Sequence, residues 1–396
     1  MQQYTRFGFY WLLALGGGMG LILWGSSCLQ SGQNVAESTP EVRFDTSLLM
    51  TLADAYLAKP PLTITAFPAP RSAGGRHDYY SEGRYWWPNP DDLDGPYIRK
   101  DGQSNPDNFN AHKQVLRNFA EVVATLTAAY QLTGDERYAS HALEHLRAWL
   151  VAADTRMNPS LLYGQAIKGV TTGRGIGIID TLCLIDVARS ILLLVQAGQL
   201  PDQDLLPIRQ WFSDYGDWLT THPHGLEERD NNNNHSTWWG AQLAAYARVA
   251  ERSDLLQLSQ TQFKKQLDIQ MAADGSFPHE LERTKPWHYT LYTLNAWTAL
   301  AELASTPQLK LWAYKARHGS LSKAIEFVVP YLQEPASWPY ATELEPEAKA
   351  TRQDFLLHAA YALDRPDYLQ LWQALPAWEE DANPAALLLW LQNRLN

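Results

Sequence analysis

Cysteine is nearly absent from this chain: Cys28 and Cys183 are the two present in 396 residues. That excludes a disulfide framework and a cysteine-built metal site. Cys183 lies in the apolar run Ile178–Ile185 and reads as a small buried hydrophobe. Positive charge is scarce as well. With 32 Lys and Arg against 43 Asp and Glu, the formal net charge is −11. Nucleic acid is thereby excluded as the main partner, because phosphate recognition calls for a basic surface. No metal-ligand spacing occurs, and nothing in the sequence asks for a cofactor. Strand-period blocks of any length and fixed-period repeats are also missing, which argues against an all-β fold and a consensus-repeat solenoid.

What the chain has is apolar and aromatic. Hydrophobic residues make up 45% and charged residues 19%, enough for a sizeable core. The 16 Trp and 19 Tyr stand out. Most fill a core, but flat amphipathic rings also stack against sugars.

The N-terminus reads as an export segment. Phe7 to Trp24 is an uncharged run behind Arg6, followed by Gly25-Ser26-Ser27 and Cys28. Small residues directly before a cysteine resemble a bacterial lipoprotein signal, with Cys28 as the lipid-bearing residue and a periplasmic or outer-membrane location. A cleaved soluble signal and an uncleaved membrane anchor are the alternatives. All three place the domain outside the cytoplasm. Residues 1–28 are thus the signal, 29–40 a polar tether and 41–396 one domain, expected to act as a monomer.

From Thr65 to Asn110 the chain has no clear period and is dense in Gly, Pro, Asp and aromatics, as a lid or binding loop would be. Beyond His112 it reads as helix after helix. Val115, Phe119, Val122 and Leu126 share a face, Gly134 stops that helix, and Asp135 caps the next, which carries Tyr138, Ala142, Leu146 and Trp149. Further helices fit 176–199, 203–221, 236–252, 254–271, 287–305, 307–318, 320–333, 351–364, 366–375 and 384–394. A dozen helices on short turns predict an all-α fold, an α/α toroid of paired antiparallel helices with one long aromatic lid loop.

Four features interrupt the helical rhythm, and each has a structural reading beside a functional one. The aromatic loop around 76–100, with Tyr85, Trp86 and Trp87, is either a packed surface loop or a lid whose Arg76, Arg84, Arg99 or Lys100 meets carboxylates. The stretch from Tyr163-Gly164-Gln165 to Arg174-Gly175-Ile176-Gly177 is either a structural loop or a set of amides and a cation facing an anion. In Asn231–Trp239, Asn234 or Ser236 makes an ordinary N-cap, yet Asn234 beside His235 at a helix N-terminus also makes a carboxylate receptor. Finally, Pro286 opens a helix. Arg283 pairs with Glu280 or Glu282 in the structural reading; in the functional one, Arg283 and a neighbouring His lower the pKa of Tyr289.

The last two features together resemble the alginate lyase family, polysaccharide lyases built on an α/α toroid. Asn234-His235 matches the family's Asn-His pair, and Arg283 with Tyr289 matches the Arg and Tyr that follow. Tyr79–Pro90, Asn105–Asn110, Tyr163-Gly164-Gln165 and Asp274–Leu281 are also similar, so the likeness spans roughly residues 70–335. Two departures are visible: the Arg-to-Tyr gap of six, which leaves Tyr292 as a substitute, and a helical C-terminal segment in place of a β-sandwich.

The resemblance implies β-elimination on a 4-linked uronic-acid polymer, an anionic polysaccharide. Asn234, His235 and Arg283 would neutralise the uronate carboxylate. Tyr289 would take the C5 proton and return one to the leaving oxygen. For mannuronate the proton and the leaving oxygen share a face, so one Tyr serves both; for guluronate they lie on opposite faces and His235 is the better base. Tyr85, Trp86, Trp87, Tyr163, Gln165, Arg174 and His288 are the expected substrate contacts. The competing readings are a toroid glycoside hydrolase using two of Asp78, Glu82, Glu280 and Glu282, and a surface lipoprotein that binds glycans without cleaving them.

Overall fold

A computed structural model of the chain describes residues 42, 45–377 and 383–395. The signal, the tether and Cys28 lie outside these residues. Asp45–Asn396 form one compact unit.

Helices α1 (Ser47–Tyr56), α2 (Ala111–Thr133), α3 (Glu136–Leu146), α4 (Leu184–Gln196), α5 (Asp202–Thr221), α6 (Pro223–Arg229), α7 (Asn234–Val249), α8 (Ser253–Gln270), α9 (Pro278–Leu281), α10 (Pro286–Ala304), α11 (Leu321–Gln333), α12 (Asp354–Ala362), α13 (Pro366–Ala374) and α14 (Ala385–Leu395) follow one another along the chain. Their pairings, α2 with α3, α7 with α8 and α10, and α12 with α13, build the α/α toroid. The stop and start read from sequence are in place. Gly134 takes φ 70° at the end of α2, and the Asp135 side chain accepts from the Arg137 amide at the start of α3.

At the centre run α7 and α10. Each is buried around almost its whole girth, with Trp239, Leu243, Tyr246, Leu294 and Trp297 fully covered. Removing one such ring costs about 3–5 kcal/mol. The N-termini of these two helices, held side by side by this core, carry the candidate chemistry.

Several expectations need correcting. The helix expected at 307–318 shrinks to a 3-10 turn, Leu311–Ala313. The one expected at 176–199 is a 3-10 segment, Gly175–Thr181, followed by α4. The N-cap of α7 is Asn233, whose side chain accepts from the His235 amide, and neither Asn234 nor Ser236. Helices α1 and α6 were not read from the sequence. For α6 a signal existed: Pro223 sits in its first turn and His222 caps it.

The aromatic loop has internal order. Strand β1 (Tyr80–Glu82) pairs in parallel with β4 (Tyr163–Ala166), while β2 (Trp86–Trp87) pairs antiparallel with β3 (Ile98–Arg99). Beneath them, buried Asp180 accepts from Lys113 Nζ (2.6 Å), Ser81 Oγ (2.6 Å) and Tyr79 OH (3.2 Å). Burial alone would raise the Asp180 pKa, but Lys113 and the hydrogen bonds outweigh it and hold the carboxyl low. Behind β4, Gly164 and Gly177 cross in backbone contact: a Cβ on Gly177 would lie 2.5 Å from the Gly164 carbonyl carbon. Those glycines therefore serve packing.

Candidate active site

Asn234 and His235 open α7, and each is gripped by a buried carboxylate. Glu280 Oε1 accepts from the Asn234 backbone amide (2.6 Å) and its side-chain Nδ2 (2.9 Å), and Oε2 lies 3.1 Å from the same nitrogen. The Thr293 hydroxyl of α10 donates to Glu280 as well (3.1 Å), tying the two helix starts together. Glu280 and Asn234 are each 1% exposed. With its amide nitrogen committed, Asn234 is left with a buried Oδ1 that has no hydrogen-bond partner.

His235 Nδ1 lies 2.7 Å from Glu228 Oε1, and Glu228 Oε2 accepts from Asn231 Nδ2 (2.9 Å). Burial raises the Glu228 pKa; His235 and Asn231 pull against it. A carboxylate on Nδ1 orients the ring and leaves Nε2 free to act.

At the start of α10, the Arg283 guanidinium lies over the Tyr289 ring, 3.8 Å from its centroid. Tyr289 OH and Tyr85 OH are 3.0 Å apart, so β2 of the lid is joined to the helix. Arg283 reaches Asp101 with Nε (3.3 Å) and Nη2 (3.1 Å), and Thr284 Oγ1 also donates to Asp101 (3.1 Å). The structural partner of Arg283 is thus Asp101, and neither Glu280 nor Glu282. Burial opposes ionisation of Asp101, but Arg283 and Arg99 hold its carboxyl down to about 2.

The expected phenolate at Tyr289 is not favoured in the free protein. Burial raises its pKa above the ordinary tyrosine value, Arg283 lowers it in part, and the Tyr85 hydrogen bond raises it again. Partial desolvation of the ring lowers the His288 pKa, with Lys285, Arg84 and Arg283 adding to the effect. The His288 ring stands at 75° to Tyr289 and stacks on Tyr292. Tyr292 in turn meets Trp238 of α7 (5.4 Å).

Other expected contacts form a second group. Arg174 lies over the Trp86 ring (5.9 Å) and donates to Gln165 Oε1 (2.9 Å). Gln165 adopts φ 49°, a left-handed conformation rare for a side-chain-bearing residue, and its amide donates to Ser81 Oγ. Lys100 lies over Trp87 (5.1 Å), whose indole donates to Gln103 O. Tyr163 packs its ring on Gly74. The glycine loop's anion is internal, since the Gly175 amide donates to Glu227 (3.1 Å).

Sequence reasoning missed Glu228 and Asp101, and took Glu280 for a hydrolase carboxylate or an Arg partner. Three of the four hydrolase carboxylates are engaged elsewhere, and the fourth, Glu282, is exposed. Asp78 accepts from the Gly75 amide and Asn158, Glu82 from Arg71, Tyr80 and the Phe109 amide, and Glu280 from Asn234.

Comparison with known proteins agrees with the helical fold. The family described as alginate lyase matches residues 63–338. The crystal structure of an alginate lyase from Bacteroides ovatus superposes with a TM-score of 0.75 at 31% identity, covering 87% of this chain and 92% of that one. Alginate lyase A1-III from Sphingomonas species A1 shares the fold at 19% identity and TM-score 0.52, covering 87% and 94%. A histidine-to-alanine variant of A1-III complexed with a tetrasaccharide matches at 20% identity and TM-score 0.56, covering 87% and 93%. No curated protein sequence matches.

Proposed function

The chain belongs to the alginate lyase family and is a polysaccharide lyase, and from that premise we propose that it cleaves alginate-type uronans, preferring mannuronate, by β-elimination. The observation that carries this reading is the cluster at the joined starts of α7 and α10: Tyr289 under Arg283 and against Tyr85, beside an Asn234-His235 pair held by Glu280 and Glu228.

The C5 proton of a uronate is a weak acid while the adjacent carboxylate is ionised. Donors already in place at that carboxylate let the developing charge spread as an enolate-like species. His235 Nε2 and Arg283 supply them. Asn234 commits its side-chain nitrogen to Glu280 and leaves only the acceptor Oδ1 open, so neutralisation falls to its two neighbours. Tyr289 removes the C5 proton. It acts as the phenolate, its own proton having passed to solvent; Arg283 favours that form, and Tyr85 steadies the hydroxyl once it is reformed. The same hydroxyl then returns a proton to the leaving oxygen on the shared face of mannuronate. Tyr85, Trp86, Trp87, Tyr163, Gln165, Arg174 and His288 border the sugars.

A second reading has support of its own. Glu228 fixes His235 with Nε2 outward, the posture of a general base, which suits the opposite-face geometry of guluronate. Upstream, we propose that Cys28 carries a lipid and holds a monomeric enzyme at a membrane outside the cytoplasm. The intact mass of the N-terminal peptide tests that.

Ultraviolet absorbance of the purified domain with polymannuronate, polyguluronate, glucuronan or hyaluronan tests the activity. Elimination leaves a conjugated C4–C5 double bond that hydrolysis cannot make. A rise on polymannuronate first supports the proposal; a rise on another polymer alone reassigns the substrate; new reducing ends without absorbance refute elimination.

A further inference from the structure

At the far ends of α7 and α10 lies a cavity of about 810 Å³. The α7 helix has 16 residues, so at 1.5 Å per residue its two ends are about 24 Å apart. This cavity is therefore separate from the Asn234-His235 site. We infer that it is a second binding site, for short carboxylated saccharides such as the products of the elimination reaction; the choice of ligand rests on the lyase reading above.

Its lining is basic, against the charge of the protein as a whole. Arg189, Arg248, Lys310 and Arg394 surround one carboxylate, Glu302, in a chain of formal charge −11. Helix C-termini repel anions through their free carbonyls, but here that field is blunted. Arg248 donates to the Leu303 carbonyl and to that of Ser305 (2.6 Å), just where α10 ends. Glu302 is likewise engaged, accepting from Arg394 Nη1 (2.8 and 2.7 Å) and from the Trp312 indole (2.7 Å). Among the described residues Arg394 spends only Nη1 on Glu302, and Arg189 only Nη1 on Asp186 (3.1 Å). The exposed Lys310 has no protein partner among the described residues. Cation forks with donors to spare are what carboxylates bind.

The walls between the cations suit a sugar ring. The Arg394 guanidinium lies 5.5 Å from the Trp390 ring centroid and 5.8 Å from that of Tyr361, so aromatic rings back this cation. Trp390 is 2% exposed, yet its buried indole N–H has no hydrogen-bond partner. That nitrogen lies beneath the wall, out of reach of a ligand in the cavity. The volume falls in the range of small-ligand pockets, roughly 300–1,000 Å³.

The experiment is calorimetric titration of an unsaturated mannuronate trisaccharide into the Tyr289→Phe protein, with and without Lys310→Glu. The expected result is two sites, one of them weakened at least tenfold by Lys310→Glu at an unchanged melting temperature. A single site, or two sites that ignore Lys310→Glu, overturns the inference. Inorganic sulfate competing as well as the trisaccharide reduces the cavity to a small-anion site and overturns the saccharide class. Elimination by the otherwise wild-type Lys310→Glu protein is measured in parallel and stays unchanged. A single site in the Tyr289→Phe protein, with elimination intact in the wild type, sinks this inference alone, whereas two sites without elimination sink the catalytic reading alone.

Discussion

The Arg283 guanidinium rests 3.8 Å from the centroid of the Tyr289 ring, on its face and not at its hydroxyl. From there it favours the phenolate by its field without spending a hydrogen bond on the oxygen, which faces Tyr85. Arg283 is itself steered by Asp101, so three residues from two distant stretches of chain set one hydroxyl.

Tyr289→Phe removes that hydroxyl and keeps the ring under Arg283. Elimination should fall by about 10²–10⁴-fold, the usual scale of a lost acid-base group, with oligosaccharide affinity nearly unchanged. Turnover by absorbance and binding by calorimetry check both halves. Unchanged turnover would shift the role to Tyr292.

Tyr85→Phe tests the hydrogen bond between the two tyrosines. That bond raises the Tyr289 pKa, and burial raises it too. The base form is the deprotonated one, so kcat/KM climbs with pH through this ionisation. Without Tyr85 OH the limb should move to lower pH. A shift to higher pH would contradict the assignment.

Glu228→Gln keeps a polar group against His235 Nδ1 but no longer dictates which ring nitrogen holds the proton. Turnover should drop by about 10²-fold or more, with KM little changed, as when a carboxylate that sets a histidine tautomer is lost. Glu228→Asp should recover part of it. A fall in melting temperature with undiminished kcat would make Glu228 merely structural.

Glu280→Ala leaves the start of α7 without its shared acceptor. Stability should fall by about 3 kcal/mol, because charge-assisted bonds are lost and Asn234 Nδ2 is left buried and unpaired. Urea unfolding measures this. A loss below about 1 kcal/mol would mean that water replaces Glu280 with ease.

Asp101 makes a pH prediction of opposite kind to that of Tyr289. Its folded pKa, about 2, lies below the unfolded value of 3.8. The stability it brings is therefore present above pH 4 and is lost as pH falls through 2. Allowing for solvent screening, this is about 1 kcal/mol. Asp101→Asn should be less stable at neutral pH and should lack that slope in acid unfolding. A slope equal to the wild type's would detach Asp101 from Arg283.

Most of the helical frame was legible because its signals are local. The stop at Gly134, the cap at Asp135, Pro286 in a first turn and the three- and four-residue spacing of Val115, Phe119 and Leu126 each act within a few residues. The four residues proposed for catalysis, Asn234, His235, Arg283 and Tyr289, stand out in the sequence as a spaced motif. What supports them was not. Glu228 sits in the run Glu227-Glu228-Arg229-Asp230, which looks like a solvated face until α6 folds it inward to His235. Asp101 is 182 residues from the arginine it holds. Such contacts come from packing, and no periodicity announces them. The net pKa of Tyr289 was misjudged for the same reason: its cation neighbour is visible in the sequence, while its burial is not.

The crossing of Gly164 and Gly177 bears on how this scaffold can be re-engineered. A side chain on Gly177 would collide with the Gly164 backbone, and one on Gly164 would press on the Gly177 Cα at 3.2 Å, so strand and loop fit as a matched pair. Residues 163–177 are for that reason an indivisible cassette. Grafts that exchange the whole stretch between relatives carry the fit with them, and those that cut inside it break it.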